Sequence, residues 1–161
     1  MKRILLVAML AGLVGACGFH PRDSTSLPAD TRALYLEAPA ALRYELSIYL
    51  ADSGAEFVET TDAADLVLKI IREDFDRRTL SVDPDTGKER EFELTYTVTF
   101  LARRLDGSVL LKRQKVTLLR DYVFDADQVL GKSREQNTLR TEMRRDAAQQ
   151  ILTRLNIALQ S

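Results

Sequence analysis

The feature that most restricts the fold is a strict two-residue alternation near the middle of the chain. Apolar side chains recur at every second position from Phe92 to Phe100, and glutamate or threonine occupies the positions between them. Successive side chains of a β-strand point to opposite faces, so the pattern predicts a strand with one buried and one open face. The chain must therefore contain a sheet whose apolar side is covered by another layer.

Strands are predicted on both sides of this run. Asp106-Gly107 is a strong hairpin signal, after which Val109 to Phe124 is expected to return as a long strand. Upstream, an extended region begins at Phe57-Val58 and continues from Asp65 to Phe75, and a turn is predicted within Ser81–Arg90. The faces expected for the upstream strand are Leu66, Leu68 and Ile70 on one side, and Lys69 and Glu73 on the other.

The returning strand shows a shift of phase. Leu110 aligns with Val116, whereas Leu111 aligns with Leu119 on the other face. Two explanations stay open from the sequence alone: a β-bulge within the strand, or burial of both of its faces.

Two segments have helical periodicity. Pro39 suits the first turn of a helix whose apolar residues repeat at helical spacing up to a plausible stop at Gly54. From about Ser133 to Leu159, apolar residues recur every four positions. With a short strand at Leu34–Leu36, the predicted fold class is α+β: a two-layer sandwich, in which two helices pack on one face of a mostly antiparallel four-stranded sheet.

The N-terminus has the pattern of an export signal. Lys2 and Arg3 precede an unbroken apolar run from Ile4 to Val14, and small residues follow it. The run is about half of the roughly 20 residues that a membrane-spanning helix needs. We therefore predict a signal peptide over residues 1–16.

Cys17 is the only cysteine, so an intramolecular disulfide is impossible. The segment Val14-Gly15-Ala16-Cys17 resembles the lipobox of bacterial lipoproteins, in which the cysteine is lipidated and becomes the first residue of the mature chain. Gly18 after it resembles lipoproteins that are sorted to the outer membrane. The predicted organisation is a lipidated N-terminus and tether over residues 17–30, followed by one α+β domain over residues 31–161.

Charge and residue types exclude several functions. Beyond residue 16 the acidic side chains outnumber the basic ones, which argues against a nucleic-acid-coating protein. The single histidine, His20, lies outside the predicted domain, so neither a Ser/His/Asp arrangement nor metal-ligand spacing can be assembled there. Only Asp74, Asp76 and Asp121 are faint candidates for a general acid. No enzymatic activity, cofactor or metal is expected.

A segment from Ala126 to Ser133 resembles a phosphate-binding Walker A loop. Such a loop requires glycine where Ala126 stands, and it follows a parallel strand rather than an antiparallel one. We therefore do not expect nucleotide binding.

Basic residues are predicted to gather at both ends of the sheet. One cluster lies beside the Ser81–Arg90 turn and the other surrounds Asp106-Gly107. Either cluster could bind phosphate or another anion, although charged residues beside hairpin turns more often serve solubility and edge protection. The members are Arg77, Arg78, Lys88, Arg90, Lys132 and Arg134 in the first cluster, and Arg103, Arg104, Lys112 and Arg113 in the second.

Several segments together resemble the LPS-assembly lipoprotein family, LptE, also called rare lipoprotein B. Cys17-Gly18-Phe19-His20-Pro21-Arg22 is similar to the mature start of that family, in which leucine usually replaces Pro21. The other similar segments, in order, are Leu80-Ser81-Val82, Phe92–Tyr96, Arg120-Asp121-Tyr122 with Phe124-Asp125, and Met143–Leu155 in the last predicted helix.

The resemblance implies a function that the residue patterns alone do not reach. Members plug and support the LptD outer-membrane β-barrel, bind lipopolysaccharide, and take part in its assembly at the outer-membrane surface. Lys132 occupies a position similar to a binding lysine of the family. A second position, an arginine, has no clear match here, and Lys88 or Arg90 would replace it, with Arg134 nearby.

The resemblance also implies a location: lipid-anchored in the outer membrane, with the domain on the periplasmic side and inside the barrel lumen. The alternative is a pilotin-like exported lipoprotein that chaperones another outer-membrane complex. The same anchor and a similar small α+β domain would serve that role, so the partner captured distinguishes the two hypotheses.

Overall fold

A computed structural model describes residues 26–123 and 132–161. Cys17, His20 and the Walker-like residues 126–131 lie outside this part of the chain. The elements in chain order are β1 (Ala33–Glu37), α1 (Ala40–Asp52), β2 (Glu56–Phe57), β3 (Leu66–Val82), β4 (Glu89–Arg104), β5 (Val109–Val123) and α2 (Lys132–Leu159), with 3-10 turns at Ala29–Thr31 and Thr61–Ala63.

The described strands form one sheet in the order β2-β1-β3-β4-β5. The three long strands are antiparallel, whereas β1 is parallel to both β2 and β3. The predicted α+β class is confirmed, with five strands rather than four. The additional strand is β2, whose two residues pair with Ala33 and Leu34, and a strand of that length is too short to produce a periodic signal in the sequence.

A β-bulge explains the phase shift of β5. Phe100 pairs with Gln114 and Ala102 pairs with Leu111, so β5 advances by three residues where β4 advances by two. The extra residue brings both Leu111 and Val116 into the core. Without it they would lie on opposite faces of the sheet, because they are an odd number of residues apart. Of the two explanations that the sequence left open, the bulge is confirmed.

A second bulge corrects one prediction. Ile70 pairs with Phe100 but Arg72 pairs with Thr99, so Ile71 is the additional residue in β3. Beyond it the alternation is inverted, and Glu73 lies opposite Val98 on the helix-covered face. The expectation that Glu73 shares the open face with Lys69 is wrong, because a single inserted residue moves every later side chain to the other side of the sheet.

Both helices pack on the same face of the sheet. The buried side chains of α1 are Leu42, Leu46 and Leu50, and those of α2 include Met143, Ala147, Ile151 and Leu155. They cover the side chains of β4 that alternate inward, of which Leu94, Tyr96 and Val98 are fully buried. Each large apolar side chain buried in this way contributes roughly 1.5–3 kcal/mol.

The boundaries of α1 follow local signals. Pro39 precedes the helix as its N-cap residue, and its fixed φ suits the entry. After the helix ends at Asp52, Gly54 adopts a φ of 85°, which a residue without a Cβ accepts most easily. The chain upstream packs on this end: Leu27 is buried, and its backbone N–H donates to the carbonyl of Ser53 at 2.8 Å.

Candidate functional site

The β3–β4 tip, defined as residues 77–91, extends beyond the layer of helices. Val82 pairs with Glu89 and Glu91 pairs with Val123, so the end of β5 belongs to the same end of the sheet. Apolar side chains are exposed here: Val82 is 57% exposed and Val123 is 66% exposed. The tip thus combines apolar surface with the first predicted basic cluster.

Most cations of this tip have carboxylate partners. Arg77 lies 3.8 Å from Glu89, and Arg78 donates to Glu93 at 3.0 Å. Arg90, one of the predicted ligand-binding residues, lies 3.7 Å from Asp83. Lys88 is also a predicted ligand-binding residue; it is exposed, and no described ion pair includes it.

The turn of the β3–β4 tip is built around one carboxylate. Asp83 Oδ1 accepts hydrogen bonds from the backbone N–H groups of Asp85 and Thr86, at 3.1 and 2.9 Å, and from the Thr86 hydroxyl at 3.0 Å. These bonds, foremost the one from the Thr86 backbone, lower the pKa of Asp83 below its usual range. Gly87 follows with a φ of 68° and closes the turn.

The helix α2 begins at this same end of the sheet. Its later residue Arg154 donates to the carbonyl of Lys115 at 3.0 Å, whereas Asp146 pairs with Arg120 at 2.6 Å, nearer the end of β5. Lower residue numbers in α2 therefore correspond to positions closer to the β3–β4 tip. The side chains of Lys132 and Arg134 lie outside the described ones, so their approach to Lys88 and Arg90 stays a prediction.

Two arginines near this end lie on aromatic rings, and sequence reasoning gave Arg140 no role. The Arg140 guanidinium lies 4.4 Å from the centre of the Phe75 ring, and Arg77 lies at the same distance from Phe92. The buried Nε of Arg140 has no hydrogen-bond acceptor among the described residues. Phe75 lies beneath α2 because of the pairing between strands far apart in the sequence. No local sequence pattern therefore predicts the contact between Arg140 and Phe75.

A polar network lies between the sheet and α2. The Tyr96 hydroxyl and the Arg144 Nε both donate to Glu73 Oε1, each at 2.8 Å. Burial, reinforced by the hydrogen bond to Glu73, raises the pKa of Tyr96. Burial opposes protonation of Arg144 and is the largest single effect, but the hydrogen bond to Glu73, the negative charge of Glu73 and the interaction with Tyr96 together outweigh it and raise the pKa of Arg144. The network joins β3, β4 and α2 through one carboxylate.

The β4–β5 tip, defined as residues 101–115, is the opposite end of the same strands. Its turn is closed by Gly107, with a φ of 81°, and by Asp106 Oδ1, which accepts from the Ser108 backbone at 2.8 Å. Hydrogen bonding by Ser108, through its side chain and its backbone N–H, lowers the pKa of Asp106. No described ion pair includes the cations of this tip, which are Arg103, Arg104, Lys112, Arg113 and Lys115.

The open face of the sheet is mainly polar, with Leu119 as an exposed apolar side chain opposite Thr95. A shallow groove of about 370 Å³ is lined by Arg72, Asp74, Asp76, Thr97, Thr99 and Lys115. The faint acid candidates are solvated here: Asp74 pairs with Arg72 at 2.5 Å, and Asp76 and Asp121 are exposed.

Within residues 26–123 and 132–161, no three acidic, histidine or cysteine side chains form a group that could hold a metal ion. Neither described helix is long and apolar enough to cross a membrane.

The order of these elements and their residues match a known family. The family model for LptE, described as lipopolysaccharide-assembly, matches residues 28–155. The chain belongs to the LptE family. The match spans both tips and the Glu73 network.

Curated relatives agree with this assignment. A protein of Pectobacterium atrosepticum named LPS-assembly lipoprotein LptE is 30% identical over 164 residues, which cover 93% of this chain and 83% of the relative. A protein of the same name from Photorhabdus laumondii is 29% identical over 154 residues, covering 94% of this chain and 83% of the relative. The family is one of assembly lipoproteins rather than enzymes, as the sequence predicted.

Solved structures show the same fold in LptE-family relatives. The solution structure of an uncharacterized lipoprotein B from Nitrosomonas europaea superposes with a TM-score of 0.69 at 29% identity, covering 84% of this chain and 88% of that one. The crystal structure of the rare lipoprotein B from Shewanella oneidensis gives a TM-score of 0.63 at 32% identity, covering 75% and 91%. The resemblance predicted from sequence segments is therefore confirmed.

Proposed function

We propose that this LptE-family chain is an outer-membrane lipoprotein that plugs and supports the LptD β-barrel and binds lipopolysaccharide during its assembly at the outer-membrane surface. The observation that carries the proposal is the family match over residues 28–155. The curated relatives named LPS-assembly lipoproteins support it.

The open face of the sheet suits the role of a plug. The strand β4, the middle one of the three long strands, presents Glu93, Thr95, Thr97 and Thr99 outward, because its alternating residues are buried under the helices. The lumen of a large outer-membrane barrel is polar, so a hydroxyl-rich surface can lie against it without exposing apolar side chains to water. The apolar layer faces the domain's own helices instead.

The β3–β4 tip suits the binding of lipopolysaccharide. This ligand carries anionic phosphates next to acyl chains, and the tip presents the exposed ammonium of Lys88, which has no ion-pair partner among the described residues, close to exposed Val82 and Leu80. Arg90 is held by Asp83, so it contributes to ligand binding only if that pair at 3.7 Å opens. Lys132 and Arg134 at the start of α2 complete the proposed site.

The anchor in this proposal is a lipid on Cys17, with residues 1–16 removed as a signal peptide and residues 17–30 as the lipidated N-terminus and tether, of which Leu27 is already packed on the domain. Two or more acyl chains hold a protein stably in a membrane, whereas one does not. We expect Cys17→Ala to leave the domain folded but to release it from the membrane. Continued labelling of this variant with a palmitate analogue would refute lipidation at Cys17.

The experiment that tests the assembly role is an affinity pull-down of the tagged full-length protein from detergent-solubilised outer membranes. We expect one large β-barrel at equal stoichiometry, together with lipopolysaccharide. Recovery of a secretin-like ring would favour the pilotin-like alternative. Recovery of the tagged protein with neither partner would contradict the assembly role.

A further inference from the structure

The β4–β5 tip has an excess of unpaired positive charge. Residues 101–115 contain five basic side chains and a single acidic one, Asp106. The carboxylate of Asp106 is occupied by the turn, since it accepts from the Ser108 backbone. The basic side chains are free of described ion pairs, in contrast to those of the β3–β4 tip.

This tip lies at the end of the domain where the chain enters the fold. The backbone N–H of Leu105 donates to the carbonyl of Asp65 at 3.1 Å, and that of Asp65 donates to the carbonyl of Ala33 at 2.8 Å. Two hydrogen bonds thus connect the turn to the first residue of β1. The register agrees, because Leu66 pairs with Leu34 on one side and with Arg104 on the other.

Covalent geometry restricts the distance from this end to Cys17. Nine residue steps separate Cys17 from Ser26, where the described chain starts, so they can span at most about 30 Å at ~3.4 Å per residue. The strand β4 alone, with 16 residues, is roughly 50 Å long. An anchor on Cys17 therefore keeps the β4–β5 tip nearer the leaflet that holds the anchor than the β3–β4 tip, when the long strands run along the membrane normal.

The apolar residues of the turn are also suited to a position at the membrane surface. Leu105 is 60% exposed and Val109 is 55% exposed, and they flank the turn on either side. Apolar side chains bordered by lysine and arginine are typical of segments that lie at the level of lipid headgroups. Asp30 and Asp62, in the two neighbouring 3-10 turns, confine the positive surface to the hairpin itself.

We propose that the β4–β5 tip is a second membrane contact, which binds the anionic phospholipid headgroups of the leaflet that holds the lipid on Cys17. The inference rests on the proposed lipidation of Cys17 and is independent of lipopolysaccharide binding at the other tip. A basic residue close to an anionic membrane surface raises the ratio of docked to undocked protein roughly fivefold. Four or five such residues make docking the dominant state and set the orientation of the domain.

The test uses the full-length lipoprotein inserted in vesicles. Lipidation consumes the thiol of Cys17, so Ser108→Cys provides a free thiol for a fluorophore at the exposed turn. The vesicles contain phosphatidylcholine, or equal parts of phosphatidylcholine and phosphatidylglycerol, and both carry the same quantity of a lipid with a spin-labelled headgroup that quenches the fluorophore. Asp85→Cys places the matched control label at the turn of the β3–β4 tip.

We expect several-fold stronger quenching of the Ser108→Cys label in the phosphatidylglycerol vesicles, and no such difference for the Asp85→Cys label. Lys112→Glu with Arg113→Glu should abolish the difference, as should high salt, which screens exposed charges. Lys88→Glu with Arg90→Glu makes the same change of net charge at the other tip and should leave it intact.

Two results would overturn the proposal in distinguishable ways. Quenching that is equal in both kinds of vesicle, or that survives the Lys112→Glu, Arg113→Glu change, would show that an anchored domain does not dock through this tip. Protein that stays free in solution with either vesicle would contradict the anchor on Cys17 and, with it, a contact that depends on that anchor. A circular dichroism spectrum of the Lys112→Glu, Arg113→Glu variant that matches that of the unsubstituted protein would exclude unfolding as the cause.

Discussion

The two ends of the long sheet resemble each other in composition and differ in how their charges are used. Each tip has four or five basic residues and exposed apolar side chains. At the β3–β4 tip, acidic residues of the facing strand neutralise Arg77 and Arg78, and Asp83 of the turn neutralises Arg90. At the β4–β5 tip the facing strands supply no such partners. The number of lysine and arginine residues therefore does not show how many of them lack an acidic partner. The strand register determines that, because it decides which side chains face each other.

The difference also separates what the tips can bind. The charges of the β3–β4 tip form a nearly neutral network in which Lys88 has no ion-pair partner within residues 26–123 and 132–161, an arrangement suited to one ligand with phosphates at defined positions. The β4–β5 tip presents several free cations without a defined pocket, which suits a surface of many similar anions. Specific ligand binding and membrane docking can thus be located at opposite ends of one sheet.

The largest expected difference between the two tips is in lipopolysaccharide binding, and its absence would contradict the comparison above. We expect Lys132→Asp to weaken binding about tenfold more than Arg104→Asp, because a charge-assisted hydrogen bond contributes roughly 1.5–3 kcal/mol. Titration of the purified variants with lipopolysaccharide measures the difference. If both weaken binding equally, free positive charge of any kind is sufficient and the two tips are equivalent toward this ligand.

A second effect concerns the network that supports the β3–β4 tip. We expect Glu73→Ala to lower the free energy of unfolding by about 2–3 kcal/mol, because it leaves the buried Tyr96 hydroxyl and the half-buried Arg144 without their acceptor. Tyr96→Phe, which keeps the Glu73–Arg144 pair, should cost about 1 kcal/mol. Urea denaturation of the purified domain measures both values.

The neighbouring Asp74 supplies the control for Glu73. It also pairs with an arginine, but on the open face of the sheet, where an exposed ion pair contributes about 0–1 kcal/mol. Asp74→Ala should therefore change stability far less than Glu73→Ala. Equal losses from both would mean that Glu73 acts as a surface charge and that the network does not support the tip.

The smallest effect is a pH dependence shared by the two turns. The pKa values of Asp83 and Asp106 are lowered in the folded chain by hydrogen bonds from the turn. Their contribution to stability is therefore fully present above the unfolded value of about 3.9 and is lost as the pH falls through the lower folded values. Asp83→Asn and Asp106→Asn should each reduce the decrease in Tm on acidification below about pH 4. An unchanged acid profile would show that neither turn contributes to it.

Much of the fold could be predicted because its signals are local. The alternation from Phe92 to Phe100 identified β4, and the four-residue repeat identified α2 to within one residue of its observed start. The phase shift in β5 was compatible with a bulge or with burial of both faces, and the pairing with β4 shows the bulge. The two-residue strand β2 could not be predicted, since a pair of exposed residues carries no period.

The candidate sites were less predictable than the fold. The described members of both basic clusters lie at the predicted ends of the sheet, because antiparallel hairpins fix which turns lie together, whereas the placement of the Lys132 and Arg134 side chains stays a prediction. The ion pairs of Arg77 and Arg90, the cation–π contact of Arg140 and the burial of Glu73 were not foreseen. Each depends on which residue lies opposite another across strands or under a helix.

The sequence by itself determined the strand and helix pattern, the apolar face of the sheet and the positions of the charged residues, since periods of two and 3.6 residues are properties of neighbouring residues in the chain. Only the tertiary structure decided which charges are neutralised and on which face Glu73 lies. The physical reason is the bulge at Ile71 and the strand register: one inserted residue inverts the side chains of β3 from Arg72 to Thr79, and pairing across strands joins residues far apart in the sequence.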